Sequence, residues 1–460
     1  MKMKTETTKK INQLRIFNFS SQSQSVFTFV DLFAGIGGFR IALEQLGGKC
    51  LGYSEIDQQA IQVYQNNFIT YANAEEKNLG DITKIPQLPF DVDIIVGGVP
   101  CQPWSIAGKL QGFNDPRGKL WFDVIRLVKN NKPKGFIFEN VKGLIDPRNQ
   151  ESFAYIVNEL QQLGYLVNYQ LVNSYDFGLA QDRERVFLVG VSRNLPKHSD
   201  FRFPQPLNNK PKLYQFISGI DCQEFTKKKF SSDILFEGKS PGSRGRFKQN
   251  DELNDFFMFT DLRDGHTTIH SWDLIRTTKR EKLICETILK NRRKKKYGPK
   301  DGNPLSFTVL SDLLEDLKES ELENLVQKNI LRYVENQGYE FVNSKISTGI
   351  NGVFRIFLPH SDVIGTLTAS EPRDFVSTIT LECQEPEQYK ETFLKEIYRK
   401  RRFKTITVRD YAKLQGFPDW FIIAENEHTA KQQFGNAVSV PVVYHIAKSL
   451  LEIIDYRKEY

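Results

Sequence analysis

The sequence predicts an α/β fold: a Rossmann-like, mainly parallel sheet interrupted by a smaller, irregular inserted domain. Two observations carry this. Up to about residue 200, short β-branched or aromatic runs alternate with amphipathic segments, the mark of βαβ units. The character then changes at Phe203-Pro204-Gln205-Pro206 and stays irregular to about 404, and ordered pattern returns at Val408 to Gly416. At 460 residues the chain has room for two cores.

In order, roughly the first 25 residues read as a polar leader. Strands follow at Val26 to Leu32, Lys49 to Ser54, Asp93 to Gly97, Gly135 to Phe138 and Val186 to Val191. Gly38 to Leu46 and Leu120 to Lys129 read as the helices between them. An acidic helical patch runs from Asp312 to Gln327, and Val438 to Ile454 is an apolar closing helix. The expected division is a leader over 1–25, a sheet domain over 26–205 completed by 421–460, and an inserted domain over 206–420.

The leader lacks an apolar h-region, and no run of about 18 uninterrupted apolar residues exists, so neither secretion nor a membrane span is expected and the cytoplasm is the default. Five cysteines, Cys50, Cys101, Cys222, Cys285 and Cys383, are widely spaced with no Cys-x-x-Cys pair, which argues against a disulfide framework or a metal site. Most of the net charge of +7 falls between about 206 and 404, including the runs Lys290 to Lys300 and Arg399 to Lys404, both candidate phosphate contacts.

Asp31-Leu32-Phe33-Ala34-Gly35-Ile36-Gly37-Gly38 leads from a strand through a Gly-rich turn into a helix. The third glycine of a dinucleotide fingerprint is missing, and Phe33 would crowd a pyrophosphate, so a smaller ligand fits better. An adenosine with an amino-acid tail could offer its carboxylate to the turn's N–H groups while Phe33 packs on its apolar surface. Glu55 lies at the end of the next strand, where an acid takes ribose hydroxyls, with Ile56 as an apolar wall. Asp81, beside Ile82, follows the next crossover and could accept from an adenine amino group. This ordered set points to S-adenosylmethionine.

Pro100-Cys101-Gln102 closes an apolar strand and places a thiol at a strand end, where a substrate can meet it. Phe136 to Val141 is an apolar strand carrying Glu139 near its end, a carboxyl whose pKa should be raised and which could protonate a ring nitrogen. Arg183 and Arg185, two apart at a strand start, are expected on one face, where their guanidiniums could hold that acid and the carbonyl of a bound base.

With these motifs, Arg117 to Asp123, Arg409 to Pro418 and Gln433 to Val438 in order, the chain resembles the DNA cytosine-5 methyltransferases that accompany bacterial restriction systems. The resemblance covers about 28 to 205 and 404 to 455. It implies a methyltransferase sheet with an inserted target-recognition domain, and a mechanism in which Cys101 adds to cytosine C6 while Glu139 acts at N3. It further implies that Arg185 contacts O2, that Arg183 orients Glu139, and that the base is flipped out of the duplex. Pro100, Leu120, Asn436 and Val438 correspond to cofactor contacts. The stretch 102–118, with Gln102, Ser105 and Lys109, corresponds to a loop closing over DNA, and Gly365-Thr366-Leu367-Thr368 to a weak signature of the recognition region. Arg409 to Pro418 is expected to organise that region. The implied partners are duplex DNA and a cognate endonuclease; a monomer suffices.

Three other readings are tested by cheap observations. A tRNA methyltransferase would label RNA exclusively, and a non-catalytic DNA-binding regulator would transfer no methyl. A nicotinamide oxidoreductase would account for the Gly-rich turn alone.

Overall fold

The computed structural model describes residues 27–69, 76–104, 112–208, 210–220, 269–300, 302–342, 355–359, 361, 363–369, 374–381 and 391–454. The leader, Ser105, Lys109, Cys222 and Cys383 lie outside the described residues. Contacts gather the chain into two units, one formed by Met1–Pro211, Ile364–Glu371 and Thr407–Tyr460, the other by Lys212–Val363 and Pro372–Ile406.

The first unit begins with β1 (Phe27–Leu32), α1 (Gly38–Glu44), β2 (Gly48–Ser54), α2 (Gln58–Phe68), β3 (Ile94–Gly98) and α3 (Leu120–Asn131). It continues through β4 (Gly135–Val141), α4 (Gln150–Gln162), β5 (Tyr165–Asn173) and β6 (Glu184–Ser192). The second unit holds α5 (Lys279–Asn291), α6 (Phe307–Leu313), α7 (Glu319–Gln327), a hairpin of β7 (Leu331–Val334) and β8 (Gly338–Phe341), and three short strands, β9 (Arg355–Phe357), β10 (Asp374–Ser377) and β11 (Phe403–Thr405). The chain then rejoins the first unit as α8 (Val408–Leu414), α9 (Glu427–Asn436) and α10 (Val440–Ile454).

The main sheet runs β2-β1-β3-β4-β6-β5. β1, β2, β3 and β4 are parallel, and the apolar runs of β1, β3 and β4 follow from burial on both faces, whereas β2 lies at the sheet edge. Helices α3 and α4 supply Trp121, Val124, Leu127, Ile156 and Leu160 to one core, while α10 lies against α1, β4 and β6. The stretch Glu427–Ile454 is long and apolar enough to cross a membrane, but half of its most apolar window is buried in this protein.

The Rossmann-like expectation is met with one difference: β6 runs antiparallel to both β4 and β5. β5 and β6 are joined by the short segment 174–183 instead of a crossover helix, so β6 must return in the opposite sense. As a result the first residues of β6 arrive beside the last residues of β4, with Arg185 opposite Val141 and Phe187 opposite Glu139.

Candidate active site

Three parallel strands deliver their ends to one edge. β1 gives way to a turn in which Phe33, Gly35 and Gly37 all take the left-handed conformation, with φ of 53°, 54° and 88°. Gly37 is required twice over, since a Cβ there would also run into the Phe68 ring. Gly38 approaches Val438 so closely that a Cβ would lie 2.8 Å from a valine methyl. The turn is held to the end of β2 by Ala34 N–H donating to the Ser54 carbonyl at 3.0 Å and by Gly35 N–H donating to Glu55 Oε2 at 2.8 Å.

Glu55 Oε1 accepts from the N–H groups of Ile56 and Asp57, which fixes the carboxylate beside the turn. Asn78, which motif reading missed, accepts through Oδ1 from Glu55 N–H and Gly80 N–H and so ties β2 to the 78–81 loop. Asp81 Oδ1 accepts from the Thr83 N–H and hydroxyl, and those bonds hold its carboxyl below the usual range. Ile82 instead turns its side chain into the core with Ile85 and Leu88.

The chemistry of these residues, an open Gly-rich turn, an acid at a strand end and an exposed apolar side chain, would suit S-adenosylmethionine. A Cβ at Gly35 or Gly80 would meet nothing within 4 Å, and Ile56 leaves 68% of its surface uncovered beside Glu55. Leu120, at the start of α3, packs partly against the core; Pro100 is half-buried, Asn436 is exposed at the end of α9, and Val438 is buried.

Beyond β3, Cys101 is half-buried, and its carbonyl accepts from Trp104 N–H at 3.0 Å in a short 3-10 turn that also carries exposed Gln102. Asn140 Nδ2 donates to the Val99 carbonyl at 3.2 Å, coupling the end of β4 to the approach of Cys101. Glu139 is 6% exposed, and Arg185 Nε lies 3.0 Å from its Oε1. A Cβ at Gly98 would be 3.9 Å from both Glu139 Oε2 and a Val438 methyl, so the carboxylate and the valine converge on the end of β3.

Burial pushes the Glu139 pKa up, partly offset by Arg185 and Arg183, in the direction expected from its aromatic strand. Burial also pushes the Cys101 thiol up; Glu139 adds to this, while Arg185 and Arg183 oppose it.

Arg183 differs from expectation. It stands one residue before β6 and lies within electrostatic reach of Arg185 and Glu139, but it does not hold the carboxylate. The ion pair to Glu139 is made by Arg185. Arg183, 1% exposed, donates through Nη1 to the carbonyls of Leu367 (2.9 Å) and Gly435 (3.1 Å) and through Nη2 to those of Gly435 (3.1 Å) and Ala437 (2.8 Å). Burial, with Arg185, lowers its pKa to about 9.

Neighbouring amides do similar work. Gln181 bonds the Leu414 carbonyl and the Leu367 N–H, and Gln415 of the Arg409 to Pro418 segment bonds the Phe434 carbonyl. Thr366 donates its hydroxyl to the Asp182 carbonyl at 2.6 Å.

Comparison with known proteins gives concordant matches. The family model for C-5 cytosine-specific DNA methylase matches residues 27–452. The chain is 47% identical over 425 residues to the Type II methyltransferase M.HgiCII of Herpetosiphon aurantiacus, covering 92% of this chain and 96% of that enzyme. It is 34% identical over 445 residues to M.BanI of Aneurinibacillus aneurinilyticus, covering 92% and 95%. Among solved structures, a DNMT2 mutant from Spodoptera frugiperda matches with a TM-score of 0.50 at 16% identity, covering 92% of this chain and 99% of that one, a likeness of fold.

Proposed function

The chain belongs to the C-5 cytosine-specific DNA methylase family, and on that premise we propose that it methylates cytosine C5 within a short duplex sequence as the protective enzyme of a bacterial restriction system. The observation that carries the chemistry is the convergence of Cys101, Glu139 and Arg185 at one edge of the sheet, with Glu139 buried and ion-paired.

Cytosine C5 is a weak nucleophile. In our reading the Cys101 thiolate forms a bond to C6, and the ring electrons released toward C5 and N3 are stabilised by Glu139, protonated and donating at N3. The raised Glu139 pKa supports this role, because a carboxyl that holds its proton can donate it. Arg185 anchors Glu139 through Nε and is the guanidinium available to the base carbonyl. Phe33, Gly35, Glu55, Ile56 and Asp81 would hold S-adenosylmethionine, which would supply an electrophilic methyl group to C5. Loss of the C5 proton then returns the electron pair that expels Cys101. The ring face must reach the thiol, so the base leaves the duplex stack.

The test is bisulfite sequencing of DNA from a methylation-free bacterial host expressing the protein or its Cys101→Ala variant. Protected cytosines confined to one short motif, and only with intact Cys101, are expected. Protection that persists without the thiol sinks the mechanism.

A further inference from the structure

The sequence offers two cationic runs on equal terms, and the structure separates them. In the run 399–404, Lys400 Nζ lies 2.5 Å and Arg402 Nη1 3.7 Å from Glu396 Oε2, and Lys404 donates to the Ser218 carbonyl. Those cations are engaged within their own unit. In the run 290–300, no carboxylate among the described residues pairs with Lys290, Lys294, Lys295, Lys296 or Lys300.

The same contrast appears along α5. At its start Arg280 meets Glu321 at 3.0 Å, Lys282 meets Asp273 at 3.5 Å, and Glu281 receives Lys328 at 2.5 Å. At its end no carboxylate among the described residues pairs with Lys290. The helix dipole favours a cation in the last turn by roughly 0.3–1 kcal/mol, which accounts for Lys290 but not for the lysines beyond the helix.

The turn is also built to hold its shape. Buried Asn303 donates through Nδ2 to the carbonyls of Arg292, Gly298 and Lys300 at 3.0, 3.2 and 3.0 Å and accepts the Lys300 N–H at 3.1 Å. Tyr297 packs against the core formed by Ile284, Ile288 and Leu305, and Lys296 sits over its ring at 4.6 Å. Exposed lysines on a stiff turn, with no carboxylate paired to them among the described residues, match a polyanion whose charges recur along a rod.

We propose that the turn 294–300 binds the sugar-phosphate backbone of duplex DNA, setting the position of the second unit on the duplex without reading bases. This rests on the DNA methylase reading above. Phosphate contacts carry no sequence information, so the contribution is the same on any duplex.

The test is the salt dependence of binding by the full chain to a target duplex and a scrambled duplex, measured by fluorescence anisotropy. With Lys294→Gln, Lys295→Gln and Lys296→Gln combined, the slope of log K against log salt becomes shallower by about 2 to 3 on both duplexes. The Lys→Arg version keeps the original slope, and Lys400→Gln with Arg402→Gln leaves it unchanged. An unaltered slope in the triple Gln variant, or a loss confined to the target duplex, overturns the proposal. Methylation by the unmodified protein, assayed in parallel, separates the failures: no DNA methylation defeats the enzymatic reading, whereas methylation with an unaltered slope defeats only the phosphate role.

Discussion

The carboxyl edge of the main sheet and the turn after α5 both concentrate charge, in opposite ways. At the sheet edge Glu139, Arg183 and Arg185 are largely removed from water and each is held by protein partners. At the turn Lys294, Lys295 and Lys296 stand exposed on a rigid backbone. Catalysis of a difficult addition needs charges fixed before the substrate arrives in a dry site, where each displaced ångström is costly. Binding a polyanion needs charges that water and counterions can leave. The difference teaches which lysines and arginines of a basic protein to expect in chemistry and which in adhesion.

Substitutions break this comparison in graded steps. Cys101→Ala lowers the single-turnover methylation rate by about 10⁴-fold or more, the scale of removing a nucleophile, with duplex affinity retained. Glu139→Gln lowers it by roughly 10²–10⁴-fold, the scale of losing a positioned proton donor.

The same Glu139→Gln change has an opposite effect on the thiol. In the free enzyme, before the base brings its N3 to the carboxyl, burial and the ionised Glu139 hold the Cys101 pKa up, so removing that charge lowers it. Alkylation of Cys101 at fixed neutral pH is expected to accelerate. Slower alkylation contradicts the assigned coupling. In the unmodified enzyme the chemical step should lose rate as pH rises through the raised Glu139 pKa and gain rate as the thiol ionises, which a single-turnover pH profile reads.

Arg183→Lys sharpens the distinction between the two arginines. A lysine cannot reach three carbonyls in a planar fork, so unfolding free energy should fall by about 2–4 kcal/mol. The KM for S-adenosylmethionine should rise more than kcat falls, because the carbonyls released flank Asn436 and Val438. Gly37→Ala adds a clash with the Phe68 ring to about 1–3 kcal/mol of strain at φ 88°, read as a lower thermal midpoint.

Much of this was legible in the sequence, for physical reasons. β1, β3 and β4 are buried on both faces and spell continuous apolar runs. β5 was missed because its edge position leaves Tyr169 and Gln170 exposed and breaks the pattern. The direction of β6 was missed because composition specifies a strand and not its sense. Strand ends single out Cys101 and Glu139 in the sequence, and the structure places Cys101 just beyond β3 and Glu139 near the end of β4, with burial raising the Glu139 pKa. The partners of Arg183 were not legible, since its acceptors lie 184 to 254 residues along the chain, beyond any local signal.

That separation has a consequence for how the protein is made. Arg183 leaves the ribosome long before Gly435, 252 residues later, and at roughly 5–20 residues per second the wait is about 10 to 50 s. During that interval the guanidinium has no carbonyl to enter with, and burying it alone would cost several kcal/mol. The nascent sheet therefore stays open at its catalytic edge until the last helices emerge, so ribosome-bound chains halted before residue 435 should expose that edge to protease while completed chains protect it.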